Sequence, residues 1–419
     1  MRGRPNLFAS YASEQAILPT ATQRTMVGLL LAAAILLPLG GLEMPGSEGG
    51  FLSFGFLGDS QWLVIINRAL IFAIAALGLN LLTGVAGQVS LGHAFFMATG
   101  AYTAVVLGGE SGRTVWGLGL PIWIWLPAAG IGAALVGLLV APTAVRVRGL
   151  YLAIVTLGLV FVGQHLGRNL GFIAGGPTTG RDWPVLEVKL WKEESPLIDF
   201  ARDGSWLGVE LTSETKAYFF LLFMLIIFVL AAKNLARTRI GRSFAAVRDR
   251  DVAAEIMGVN EAKAKLQAFA ISSFYAGVGG ALLASFIGRV IPESWDLLLS
   301  VEFVAIILIG GAGTVAGTLM GSFFVVLTPR IVEDVTGKLA ETAGSGGIFG
   351  AFSDLIITTG SGDFGFMSVA AQGPGLSVAQ MNLVLFGVLI IVFLIAEPLG
   401  LFGIWIRIRN YWKGWPFTY

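Results

Sequence analysis

Apolar runs recur along this chain at lengths that suit a bilayer. They fall at 26–42, 62–84, 93–109, 121–141, 150–166, 217–232, 267–288 and 381–406, close to the roughly 20 residues a helix needs to cross about 30 Å of hydrocarbon. A further stretch, Ser300 to Pro329, is long for one helix and short for two, and Gly310, Gly311 and Gly313 interrupt its middle. It predicts two short helices or a re-entrant pair, because backbone breaks at membrane depth only where protein or a water-filled cavity satisfies it. The pattern predicts an all-α polytopic membrane protein of about ten transmembrane helices, some short or broken.

The polar segments between these runs set a direction. With the N-terminus inside, the segment 43–61 falls outside and carries Glu43, Glu48 and Asp59 but no Lys or Arg. The external loop 167–216 then has 8 acidic against 6 basic residues, and 330–380 has 5 against 2. The segment 233–265 returns inside with 8 basic against 4 acidic residues, and Arg146, Arg148, Arg407, Arg409 and Lys413 also fall inside. Excess Lys and Arg on cytoplasmic loops is the usual rule, so both termini are expected in the cytoplasm. The expected organisation is a cytoplasmic tail 1–25, a first transmembrane half 26–232 and a cytoplasmic loop 233–265. A second half 266–406, with an external insert 331–380, and a tail 407–419 complete it. A retained first span is favoured over a signal peptide, since the polar lead is long.

Composition narrows the chemistry. A chain that is 55% hydrophobic and 13% charged, with a mean hydropathy of +0.80, is not a soluble globular protein. There is no cysteine, and His93 and His165 stand far apart, so no metal centre or thiol nucleophile is expected. The net charge of +1 gives no reason to expect nucleic acid. Glycine accounts for 57 residues and clusters inside spans, as in Gly277–Gly280 and at Gly313, Gly317 and Gly321. Small residues at four-residue spacing let membrane helices approach closely. A glycine pattern at Gly84, Gly87, Gly92 and Gly100 is faintly echoed at Gly310, Gly313, Gly317 and Gly321.

The basic loop predicts one short helix over Ser243–Met257, ending at Gly258. On a helical wheel Ala245, Ala246, Val252, Ala253, Ile256 and Met257 share an apolar arc, while Arg248, Asp251 and Glu255 lie opposite. About 22 Å of helix is marginal alone in water. It needs a lipid surface, a solvated connecting role or a groove on a soluble partner, and the last fits best.

Several stretches are familiar. Leu79 to Ala94 (LNLLTGVAGQVSLGHA) resembles the signature of the LivM-type permeases, membrane subunits of ATP-binding cassette (ABC) importers for branched-chain amino acids. So do Arg148–Leu157, Gly175–Pro177, Gly241–Arg248, Ala253–Gly258 and Pro292–Ser294. The resemblance runs from about residue 62 to 330 and resumes near Leu385. It implies a type II-like ABC importer permease in the bacterial inner membrane. It also implies a LivH-type second permease, two ATP-binding cassette subunits and an extracytoplasmic solute-binding protein as partners. The chain itself would bind no cofactor, ATP being used by the partner subunits; no G-x-x-x-x-G-K-[ST] phosphate loop occurs. Arg242 through Gly258 would be the coupling segment, with Arg242, Ala245, Arg248, Val252 and Ala253 in its first part and Glu255, Ile256, Met257 and Gly258 in its second. Glu397, where the family commonly carries a basic residue before Pro-x-Gly-Leu, is a departure.

Polar groups inside spans are costly and so are functional candidates. Asn80, Thr83, Gln88, Ser90 and His93 cluster where the second span turns into the third, as a gate or as a capped turn at the membrane surface with Ser90 capping the third helix. Glu302 lies beside the broken segment, at the level of Asn67 and Arg68, and a Glu302–Arg68 contact is a further expectation. No catalytic residue is expected. The alternatives are an importer for urea or short amides and a stand-alone secondary transporter, against which the scarcity of acidic residues in the spans counts.

Overall fold

The computed structural model describes residues 21–38, 60–112, 115–147, 149–176, 180–183, 186–188, 198–200, 203–206, 209–342, 357–358, 367–368, scattered positions in 380–397, and 399–414. Helices dominate. They are α1 (Ala21–Leu36), α2 (Ser60–Leu79) continuing into a π-helical turn (Asn80–Val85), α3 (His93–Gly108), α4 (Ile122–Arg146), α5 (Leu150–Asn169) and the single turn α6 (Gly171–Ala174). After them come α7 (Ser213–Arg237), α8 (Arg239–Asp249), α9 (Asp251–Ile256), α10 (Glu261–Ile287), α11 (Leu297–Gly310), α12 (Val315–Thr342) and α13 (Gly400–Gly414). Among the described residues six helices are long and apolar enough to cross a membrane, and α1 and α3 are shorter apolar helices. The expected span 381–406 is described only at scattered positions and over 399–406, while the insert expected over 331–380 begins within α12, which runs to Thr342, and otherwise lies largely outside the described residues. The stretch 300–329 is two helices, of which only α11 is short.

The core is built around α2 and α10, whose apolar windows are about three-quarters buried. The glycines of α10 explain how three helices reach it. A Cβ on Gly277 would strike Ala133 and the Ala129 carbonyl of α4, one on Gly279 would strike Ala75 of α2, and one on Gly280 would strike the Met97 carbonyl of α3. The expectation that small residues set helix spacing here is met in backbone-to-backbone contact.

Segments assigned to one side of the membrane by charge meet in space. On the expected outer side, Asn67 donates to the Glu214 carbonyl (3.0 Å), Arg168 pairs with Glu293 (3.0 Å), and Arg330 bonds Gln61 (2.7 Å). The two-residue strands β1 (Arg181–Asp182) and β2 (Arg289–Val290) pair antiparallel there. On the expected inner side, Arg248 reaches the Gly84 carbonyl and Lys265 the Ala144 carbonyl.

The outer side is tied by a buried cation. The Arg181 guanidinium donates to the carbonyls of Trp116 (2.6 Å), Glu110 (3.1 Å) and Ile173 (3.3 Å), and the residue is 6% exposed. Burial lowers its pKa from the ordinary value. Arg181→Met would leave those carbonyls without their donor, and we expect it to cost about 2–3 kcal/mol, read as a lower unfolding temperature in detergent.

Candidate functional site

The polar cluster between the second and third spans lies where the chain folds back along α2. After the π-helical turn the chain reverses along α2: Gln88 N–H donates to the Leu82 carbonyl (3.0 Å), and the Thr83 hydroxyl to the Gln88 carbonyl (3.0 Å). His93 Nε2 then donates to the Ala75 carbonyl (3.0 Å). Ten helical residues separate Ala75 from Val85, so α3 begins roughly 15 Å above the inner end of α2. Residues 86–92 are thus a segment re-entrant along α2, which the sequence left open as a gate or a capped turn because helix length alone does not show where a short helix starts.

Backbone broken at this depth must be satisfied by protein. Leu91 N–H donates to the Thr156 hydroxyl (3.0 Å) and Gly92 N–H to Ser90 Oγ (3.3 Å). Ala94 N–H donates to Ser300 Oγ of α11 (3.0 Å). Ser90 therefore does not cap α3: Gly92 holds the N-cap position, and Ser300 serves one of the first-turn N–H groups from another helix. His93 is 2% exposed, its ring 4.9 Å from that of Phe303, which stacks on Phe72.

A second break faces the first. Between α11 and α12 the chain turns at Gly311 (φ 117°) and Gly313 (φ 82°), left-handed conformations that favour glycine. Asn80, 1% exposed, clamps this turn, since its Oδ1 accepts from Gly313 N–H (2.7 Å) and its Nδ2 donates to the Thr314 carbonyl (3.3 Å). A Cβ on Gly84 would collide with Gly313 and with Asn80 itself. The two echoing glycine patterns meet here. Asn80 was legible in the sequence, but its partner Thr314 and the supports Ser300 and Thr156 were not: Ser300 opens an expected apolar stretch, and Thr156 is a hydroxyl inside an expected span with no local signal.

Glu302 is partly exposed on α11, and Arg68 is exposed on α2 with its guanidinium 5.0 Å from the Phe72 ring centroid. Among the described residues no ion pair within 4 Å joins them, and the arginine lies along the ring. Glu397, 6% exposed, pairs with Arg407 of α13, which accounts for an acidic residue at that position.

The basic loop differs from expectation in one respect. The single helix expected over 243–257 is two, α8 and α9, separated at Arg250, which is extended (φ −158°, ψ 103°). Arg250 N–H ends α8 on the Ala246 carbonyl, and the Arg250 carbonyl starts α9 by accepting from Ala254 N–H. Asp251 at the first position of α9 favours that restart. Gly241, Phe244, Val247 and Ala254 turn into the chain. The apolar arc is left uncovered: Val252 is 62%, Ile256 81% and Met257 83% exposed, with Ala253, Glu255 and Gly258 exposed and Ala245 partly so. Gly258 has φ 82°. Arg242 is exposed and directs a guanidinium nitrogen to the Arg237 carbonyl (3.5 Å). Arg248, its side chain 44% exposed, reaches back with Nη1 donating to the Gly84 carbonyl (2.7 Å) while its other nitrogens meet Asp249 (3.2 Å).

Between the re-entrant segment, the inner end of α4 and α8 lies a cavity of about 150 Å³ lined by Gly87, Gln88, Val147, Arg248 and Lys265 among others. Lys265 is held by Glu261 (2.7 Å). Among the described residues no group of three or more His, Asp or Glu could hold a metal ion. Arg148 and Pro177, from two of the resembling motifs, lie outside the described residues.

Comparison with known proteins matches this arrangement to one family. LivM of Escherichia coli K12, the high-affinity branched-chain amino acid transport system permease protein, is 33% identical over 279 residues, covering 64% of this chain and 63% of LivM. LivM of Salmonella typhimurium is 32% identical over 282 residues with the same coverage; the chain thus spans 63% of the length of each. The ribose import permease protein RbsC of Haemophilus influenzae is 24% identical over 314 residues, 72% of this chain and 82% of RbsC. No solved structure matches. The family description "Branched-chain amino acid transport system / permease component" matches residues 62–394, a range that holds both helix breaks and the basic loop 233–265, and this chain belongs to that family.

Proposed function

We propose that this chain is the membrane-spanning subunit of an ABC importer that carries branched-chain or related amino acids into the cell. One structural observation carries the reading: α9 and its C-terminal cap present three uncovered apolar side chains, Val252, Ile256 and Met257, on a loop beside a bundle whose helices are broken. An uncovered apolar helix face on a loop rich in charge is suited to a hydrophobic groove, and in this proposal the groove belongs to an ATP-binding cassette subunit. Two such subunits would supply ATP hydrolysis, a LivH-type permease would complete the membrane part, and an extracytoplasmic binding protein would deliver the solute. The charge distribution supports both termini in the cytoplasm of a bacterial inner membrane. The solute class rests on similarity to LivM.

The test is uptake of labelled leucine, isoleucine, valine, urea and ribose by cells with and without the intact complex. We expect ATP-dependent uptake of the branched-chain amino acids alone. Uptake by this chain in vesicles without ATP would overturn the proposal in favour of a secondary transporter.

A further inference from the structure

We propose that Arg248 is the positioning residue through which the coupling segment acts on the helix breaks in the membrane, by holding the π-helical turn of α2. The inference rests on the proposed function and adds to it a route within this chain. A π-helical turn interrupts the regular i to i−4 ladder and is frequent at functional sites. Here the Gly84 carbonyl in that turn accepts from Arg248 Nη1 at 2.7 Å. The same turn begins at Asn80, whose amide holds both the N–H of Gly313 and the carbonyl of Thr314. Thr314 in turn starts α12, its Oγ1 accepting from Gly317 N–H at 3.2 Å. Arg248 on α8 is therefore joined by two side chains and one short turn to the junction of α11 and α12.

The glycines show how closely this route is fitted. A Cβ on Gly87 would strike Cγ of Arg248, and one on Gly84 would strike Gly313. Arg248 also lines the cavity that runs along Gly87 and Gln88. Arg248 was expected, from its motif, to belong to the coupling segment, on the helix side opposite the apolar arc. Its inward bond separates the roles: Val252, Ile256 and Met257 face a partner, and Arg248 faces the membrane helices. Movement of α8 and α9 by a bound ATPase would then pull on the Gly84 carbonyl and release or restore the turn that Asn80 shares with Gly313.

The test uses the whole complex in proteoliposomes, measuring solute moved per ATP hydrolysed together with retention of the ATPase subunits. R248M should keep the ATPase subunits, leave ATP hydrolysis within about twofold of wild type and lower solute per ATP tenfold or more. R248K, a single flexible donor in place of a planar fork, should fall between. N80A should lower the same ratio, and R248M with N80A should be no worse than the poorer single variant, since residues of one route are not additive. If R248M does not accumulate, R248K and N80A carry the test. A wild-type ratio in an assembled variant overturns the proposal, as does multiplicative loss in the double variant. Loss of the ATPase subunits from R248M also overturns it, because Arg248 would then be a docking contact. Absence of ATP-driven uptake by the wild-type complex instead overturns the proposed function itself.

Discussion

Gly277→Leu should abolish accumulation of the folded chain, whereas Gly158→Leu should leave it intact. A Cβ at Gly277 would stand 2.5 Å from the Ala133 Cβ and 2.7 Å from the Ala129 carbonyl, and one at Gly100, directly opposite, would strike the Gly277 carbonyl. The obstacles are largely backbone, which cannot swing aside as a side chain does. Overpacking a core costs about 1–3 kcal/mol and sometimes more, and four added carbons at a junction of three helices place this site at the upper end. Gly158, in the middle of α5, has nothing within 4 Å of its Cβ position. Membrane abundance and unfolding temperature in detergent read both variants. Equal abundance of the two would show that the α10 glycines do not set helix spacing.

The double substitution Ile256→Asp, Met257→Asp should release the ATPase subunits while the chain remains inserted. Both side chains are more than 80% exposed, so neither supports the fold. Burying an apolar side chain of this size contributes about 1.5–3 kcal/mol, and two carboxylates placed in an apolar groove add a desolvation cost. The combined loss corresponds to more than a hundredfold in affinity. Co-purification of the ATPase subunits in mild detergent is the readout, with insertion checked by membrane abundance. Ala254, which is buried, should behave oppositely: its enlargement should disturb the loop itself before docking. Retention of the ATPase subunits by the double aspartate variant would reject α9 as the docking element.

The division between what was legible and what was not follows from the range of the forces involved. Where a helix face is apolar depends on residues three and four apart, so the arc at Val252, Ile256 and Met257 could be read from the wheel. Whether that arc turns inward or outward could not. Phe244 and Val247 outcompete it for the interior because they lie on the side that meets α10 and the π-helical turn. The break at Arg250 was likewise hidden, since residues 243–257 are helix formers throughout and a restart at Asp251 looks the same as continuation.

The sequence by itself determined the class of protein and most helix positions, because span length and apolar periodicity are local properties that lipid reads directly. The tertiary structure alone decided the depth at which α3 begins, the partner of Asn80 and the inward turn of Arg248. The last two depend on hydrogen bonds between residues more than 150 positions apart, and the first on a bond from His93 back to Ala75. A backbone group left unpaired at membrane depth must find a donor or acceptor wherever packing brings one, and periodicity carries no record of which helix that is.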